Sequence, residues 1–268
     1  MYFTTVRLNG LAVVDLPIVG ALPSDPYILK SADGLGPPEV VVSIVDTLNA
    51  GGVYQGRRPQ GREVVLNVAL NPNYKTKETV ADLRTTLYGM LTPGHIDNVV
   101  IQIMNEGDVL VQTDGYIKKL EIVPFTDDPE VQLTFACPGQ YLEALDDLYV
   151  DPGHLASPSI VNQGTAPAGF RMECNFVAAV TAWSLTDESG NKMDIKYAFQ
   201  IGDKLTIDTR PGSRGIWVLR GSVTTNIIYA LTPDSKWYML HGGTNAFTTS
   251  TQKFTWGNVF YKPRYWGI

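Results

Sequence analysis

The chain alternates short apolar runs with turn-forming residues, and most of those runs carry a two-residue period. Glu130-Val131-Gln132-Leu133-Thr134-Phe135-Ala136-Cys137 reads polar-apolar throughout, as does much of Asp114 to Phe125. That period places alternate side chains on opposite faces of a half-exposed antiparallel strand. Tyr2 to Leu8 is followed by Asn9-Gly10, a strong hairpin signal, with Leu11 to Leu16 as the expected returning strand. Pro17 to Gly36 is rich in turn formers and is expected to be a loop with extended pieces. Val40 to Val45 is apolar without alternation, the pattern of a strand buried on both faces. Gly51 to Arg62 is expected to be a flexible basic connector, leading into a strand from Glu63 to Leu70. Val99 to Ile103 and Val109 to Thr113 flank a turn at Glu106-Gly107-Asp108.

One stretch departs from the two-residue period. Val80, Leu83, Leu87 and Leu91 recur at steps of three and four, giving one apolar stripe of a helix. Thr76 is the expected N-cap, Glu78 and Asp82 put negative charge near the N-terminus, and Thr92-Pro93-Gly94 ends the helix.

Pro138 to Pro158 mixes Pro, Gly and acidic residues and is expected to hold a boundary, giving domains 1–150 and 151–268. Beyond Ser159 strands are expected at Phe170 to Val177, Val180 to Asp187, Met193 to Tyr197, Lys204 to Asp208, Gly215 to Leu219 and Trp237 to Leu240. Thr248 to Trp256 and Asn258 to Arg264 complete the set. Turns fall at Ser189-Gly190-Asn191, Arg210-Pro211-Gly212 and His241-Gly242-Gly243. That spacing suggests an antiparallel sandwich. The last strand either completes it or returns to the first domain. The fold class is therefore mainly β in both domains, with one helix in the first.

Composition fits this reading. The 268 residues are 44% hydrophobic and 18% charged, ordinary for folded domains and enough for two of them. No apolar run reaches the length of a membrane-spanning helix, and the first residues lack the basic and apolar regions of a signal peptide. A soluble protein made in a cytoplasm is expected. Cys137 and Cys174 are the only cysteines and suit buried free thiols better than a disulfide framework.

Charge changes the picture more. Residues 1–155 carry 20 Asp and Glu against 10 Lys and Arg, whereas the remainder carries 7 against 11. An acidic first domain repels phosphate, so tight nucleic-acid binding there is disfavoured.

Catalytic signatures are sparse. His95, His154 and His241 stand apart from one another and from the cysteines, without metal-ligand spacing. No nucleophile elbow or phosphate-binding loop occurs, so neither a metal nor a cofactor is expected. Asp203 with Asp208, or Asp127 with Asp128, could form the carboxylate pair of a glycosidase, but residues flanking strands more simply cap turns. Trp183, Trp217, Trp237 and Trp256 fall in the second domain. Core packing is the simpler role for such residues; Trp183, Trp217 and Trp237 are the candidates for contact with a glycan.

Several segments, taken in order, resemble a known family. They are Gly56-Arg57-Arg58-Pro59-Gln60-Gly61-Arg62-Glu63-Val64, the strand ending at Asn71-Pro72, the helix Val80 to Tyr88, Gly115-Tyr116-Ile117, and Val131 to Pro138. In the second part they are Ile160 to Ala166, Ile201 to Thr209 and Asn258 to Tyr265. Their order and spacing resemble the siphophage distal tail protein over nearly the whole chain.

The resemblance implies a non-enzymatic virion protein. An N-terminal β-sandwich-like domain with one helix would form a hexameric ring at the end of the tail tube. A C-terminal galectin-like sandwich would project outward to hold receptor-binding proteins or adhere to surfaces. Implied partners are other copies of the chain, the tail tube protein, and tail-tip hub or fibre proteins. DNA would pass through without tight binding, and assembly would take place in the host cytoplasm. Arg57, Arg58 and Arg62 are the candidate contacts to a neighbouring subunit. A carbohydrate-binding module is the alternative function, with a glycoside hydrolase or esterase behind it.

Overall fold

A computed structural model describes residues 5–10, 15–19, 25–46, 51–73, 75, 77–91, 99–105, 108–122, 129–152 and 157–268. Two compact units divide the chain. The first spans residues 1–145 together with 266–268, and the second spans 146–265.

The first unit contains β1 (Thr5–Gly10), β2 (Asp15–Val19), β3 (Tyr27–Asp33), β4 (Val40–Asp46), β5 (Gly52–Pro59) and β6 (Arg62–Leu70). Helix α1 (Val80–Leu91) follows, then β7 (Val99–Asn105), β8 (Asp108–Ile122), β9 (Glu130–Cys137) and β10 (Leu142–Glu143). The main sheet runs β10-β8-β7-β1-β2-β3-β6-β9, and β8 also pairs with β9, which closes the sheet on itself. The 15-residue β8 makes this possible: its first half pairs with β7 through Gly115, and its second half with β9 from Tyr116 onward. Pairing is antiparallel apart from β2 with β3.

Alternation is expressed where the pattern called for it. Along β6, Val64, Leu66, Val68 and Leu70 are buried and their neighbours less so. Phe135, Leu133 and Val131 of β9 lie opposite Val64, Leu66 and Val68 in register, and Cys137 lies opposite Arg62. Burying each such side chain fully is worth roughly 1.5–3 kcal/mol.

Helix α1 buries Leu83, Leu87 and Leu91, the expected stripe. It starts after Thr79 rather than Thr76. The Thr79 hydroxyl accepts from the Asp82 amide at 3.2 Å, and the Asp82 carboxylate accepts from the Thr79 amide at 2.9 Å. Each satisfies an N–H that the helix start would orphan. The Tyr27 hydroxyl donates to the Leu83 carbonyl at 3.1 Å, tying the helix to β3.

Three expectations in this unit are corrected. Asn9 and Gly10 lie within β1, where Asn9 pairs with Asp15, so the connection falls beyond them. Residues 27–33, expected as part of a loop with extended pieces, form a full strand of the main sheet. The connector at Gly51 to Arg62 is mostly strand β5, paired with β4 in a two-stranded ribbon outside the main sheet.

The second unit is a two-sheet sandwich. It contains β11 (Leu148–Val150), β12 (Ser159–Asn162), β13 (Phe170–Phe176), β14 (Trp183–Asp187), β15 (Lys192–Ile195), β16 (Lys204–Asp208), β17 (Gly215–Arg220), β18 (Val223–Asn226), β19 (Gly243–Thr249) and β20 (Phe254–Tyr261). One sheet has the order β11-β20-β13-β16-β17-β18 and the other β12-β19-β14-β15. Between them lies a core built on Phe170, Phe176, Trp183, Phe199, Ile207 and Val218, with Phe176 and Phe199 stacked at 4.2 Å. The single strand expected from Thr248 to Trp256 is two, β19 and β20, separated by residues 250–253.

Candidate interface surfaces

The β4–β5 ribbon presents its apolar residues to solvent. Val40, Val42, Ile44 and Val45 on β4, with Val53 and Tyr54 on β5, are all 44–60% exposed. The Val40 to Val45 run was expected to be buried on both faces; here it is the most exposed apolar stretch of the first unit's described residues. A ribbon of two strands cannot cover its own side chains, because it has no third layer.

Arg57 and Arg58 are exposed on β5, beside that apolar surface. Arg62 differs. It is 4% exposed, and its guanidinium donates to the carbonyls of Gly34 at 3.0 Å, Gly36 at 3.3 Å, Gln140 at 3.2 Å and Trp266 at 2.9 Å. Five donors on a planar fork suit this task. Desolvation lowers the guanidinium pKa from its ordinary value. Arg62 therefore staples three backbone segments of its own unit, and of the three arginines expected at a neighbour contact only Arg57 and Arg58 are exposed.

In the second unit the three candidate tryptophans separate. Trp183 is fully buried in the core. Trp237 packs partly buried against that core, with the Arg214 guanidinium 5.9 Å from its ring centroid. Trp217 alone lies on the outer face of the six-stranded sheet. It lines an open cleft of about 430 Å³ with Arg171, Glu173, Lys204, Thr206 and Asp208.

The carboxylates weighed for hydrolysis are already engaged. Asp203 is 1% exposed and is clamped by Arg220, and it also accepts from the Gln200 amide at 2.8 Å. The Arg220 hydrogen bonds hold its pKa below the ordinary carboxylate value, the reverse of what a general acid needs. Asp208 accepts from Arg210 through Nε at 3.0 Å and Nη2 at 2.6 Å. Asp127, Asp128, His95 and His154 lie outside the described residues. His241 pairs with Glu188 at 2.6 Å on the surface. Cys137 and Cys174 are buried free thiols. Burial pushes Cys137 up to about 11, and Cys174 well above its ordinary value. Among the described residues no group of three or more His, Cys, Asp or Glu could hold a metal ion, and no helix is long and apolar enough to cross a membrane.

Residues 163–265 match the family described as siphovirus-type tail component, C-terminal domain. That match falls within the second unit. The crystal structure of SPP1 Dit (gp 19.1), a "paradigm of hub adsorption apparatus in Gram-positive infecting phages", shares the fold over 97% of this chain and 98% of its own, with TM-score 0.67 and 16% identity. The phage p2 baseplate in its activated conformation, with Sr or with Ca, aligns over 97% of each chain at 10% identity. Its TM-scores of 0.39 and 0.38 are too low to bear on the argument. No curated protein sequence matches. The expected resemblance to the siphophage distal tail protein thus holds in fold over nearly the whole chain and in the family match within the second unit.

Proposed function

We propose that this chain is the distal tail protein of a siphophage. Copies of its first unit close into a ring at the end of the tail tube, joining the tube to the tail-tip hub and leaving a channel for DNA. The second unit carries adhesion or receptor-binding proteins. The observation that carries this reading is the β4–β5 ribbon. Six large apolar side chains at 44–60% exposure are costly in water and find cover on a neighbouring subunit. A contact between unlike surfaces, repeated head to tail, generates a closed ring when the rotation permits. Arg57 and Arg58 flank the apolar surface and supply its polar rim. The acidic balance of residues 1–155 suits a lumen through which DNA slides rather than binds.

Mass in solution, with negative-stain images, tests the reading. Six copies of a 29.4 kDa chain give about 176 kDa, and annular particles of that mass are expected, alone or on addition of the tail tube protein. A chain that stays monomeric under both conditions would refute ring formation.

A further inference from the structure

The six-stranded sheet of the second unit ends in β18, and no described strand pairs with its outer edge. β18 is bonded to β17 alone, and its four residues, Val223-Thr224-Thr225-Asn226, are all exposed. Gly221 and Ser222 make the two-residue connection between Arg220 and Val223, with Gly221 in the left-handed region at φ +63°. A connection of that length makes Arg220 and Val223 a hydrogen-bonded pair, and bonded and non-bonded pairs alternate from there. Val223 and Thr225 therefore direct their backbone groups at β17, whereas Thr224 turns its N–H and C=O outward.

The edge lacks the features that keep sheet edges from pairing. Residues 221–231 contain neither a charge nor a proline, and Val223, Thr224 and Thr225 favour extended backbone. The other edges of the sandwich are guarded. β15 carries Lys192 and Asp194, Asp147 and Asp151 flank β11, and Pro158 precedes β12. Beyond β18 the chain turns through Ile228–Ala230 toward β15, where Leu231 bridges Ile195 and the Lys196 amide donates to the Ala230 carbonyl at 2.8 Å. That turn leaves Ile228 44% and Tyr229 75% exposed, alongside Val223 at 62%. Two cations stand close to it. Lys196 is exposed next to Ala230, and Arg214 lies two residues before Ile216, whose carbonyl accepts from the Ile227 amide. Neither is in an ion pair with a described residue. Asp194 is paired with Lys192 and Asp203 with Arg220, which leaves Asp234 as the uncommitted carboxylate in this region.

We propose that β18 accepts an acidic, extended segment of another tail-tip protein as an added strand, with main-chain bonds at Thr224 and carboxylates meeting Lys196 and Arg214. Strand addition draws affinity from the backbone and specificity from alternate side chains. Here the incoming apolar positions would cover Val223 and lie beside Tyr229, and the incoming charge would answer the two cations. A second copy fits worse. Two β18 edges meeting across a two-fold axis would set Lys196 and Arg214 against the same cations of the partner. The choice of a tail-tip partner rests on the second unit being a carrier, as proposed above; the open edge does not.

The peptide acetyl-Glu-Thr-Val-Thr-Ile-Thr-Glu-amide, titrated into full-length protein, tests the edge by fluorescence anisotropy of a labelled copy and by hydrogen exchange of the protein. Binding is expected, with exchange slowed across residues 222–229. Thr224→Pro removes the outward N–H, a change that an edge strand tolerates, and should weaken binding by about tenfold or more. Val223→Glu keeps every backbone group and repels the peptide, so it preserves the test if Thr224→Pro fails to fold. The same peptide with Lys in place of Glu should bind more weakly at low salt. No binding at millimolar peptide, or equal binding to wild type and both variants, overturns the proposal. So does self-association that Thr224→Pro abolishes without any peptide binding, since it assigns the edge to a second copy. Absence of the chain from purified tail tips would instead refute the carrier reading, and with it the choice of partner, whatever the peptide does.

Discussion

Asp203 receives a two-pronged clamp from Arg220, Nε to Oδ1 at 2.8 Å and Nη2 to Oδ2 at 2.6 Å. The carboxylate is buried while the guanidinium, stacked 5.7 Å from the Tyr197 ring centroid, stays partly in water. Because the folded pKa lies below the unfolded value of 3.8, the stabilisation is complete above that pH. It is lost as pH falls through the folded value. Asp203→Asn is expected to lower the melting temperature at pH 7, and its deficit against wild type should shrink below pH 3.8. A deficit that is constant with pH would show that the charge is not what matters.

Gly34 makes a second, sharper prediction. Its φ is +83°, and a Cβ there would sit 1.8 Å from the Glu63 carbonyl oxygen. Gly34→Ala should cost about 1–3 kcal/mol from the left-handed backbone alone, with the clash added. Gly36, also held by Arg62, has nothing within 4 Å of its own Cβ position. Urea unfolding should therefore separate the two, Gly36→Ala staying within about 0.5 kcal/mol of wild type.

At His241 the Gly242 carbonyl first, and Glu188 second, raise the pKa above 6.5. The associated stability is present below 6.5 and fades as pH rises through the folded value. Both partners are about half exposed, so the effect on folding is small and the titration itself is the observable. NMR should give His241 a pKa above 6.5 that falls part of the way back in Glu188→Gln. A wild-type value at or below 6.5 contradicts the geometry.

The ribbon predicts a dissociation between stability and assembly. Ile44→Lys and Tyr54→Lys replace side chains that are 60% and 59% exposed. Each should leave the unfolding free energy of the monomer within about 0.5 kcal/mol of wild type. Sedimentation should nevertheless show loss of the assembled species. Parallel loss of both properties would mean that the ribbon packs within its own chain.

Helix α1 and the alternating strands were legible because their periods point to one face, and that face is the one buried. The Val40 to Val45 run was misread for the complementary reason. An unbroken apolar strand looks the same whether its cover comes from its own domain or from another subunit. Trp183 and Trp217 likewise sit in similar strand sequences. Only Gly215, placed two residues before Trp217 on the same face, marks the ring that lies out on the sheet, and that signal was available in the sequence. Arg62 left no such mark. Its carbonyl partners lie 26 to 204 residues away along the chain, and no local pattern encodes them.

Strand β20 sits between β11 and β13, pairing Tyr261 with both Leu148 and Phe170. This inner strand of the six-stranded sheet is thus the last of that sheet's strands in chain order. Until residue 261 has emerged from the ribosome, β13 lacks a neighbour along one whole edge and the core beneath it is open to water. The second unit therefore cannot complete its fold before residue 261 has emerged, and does so slowly, since a loop of more than a hundred residues, from Leu148 to Tyr261, has to close. Its unpaired edge is the point at which a holding chaperone, or an aggregate, would catch the nascent protein.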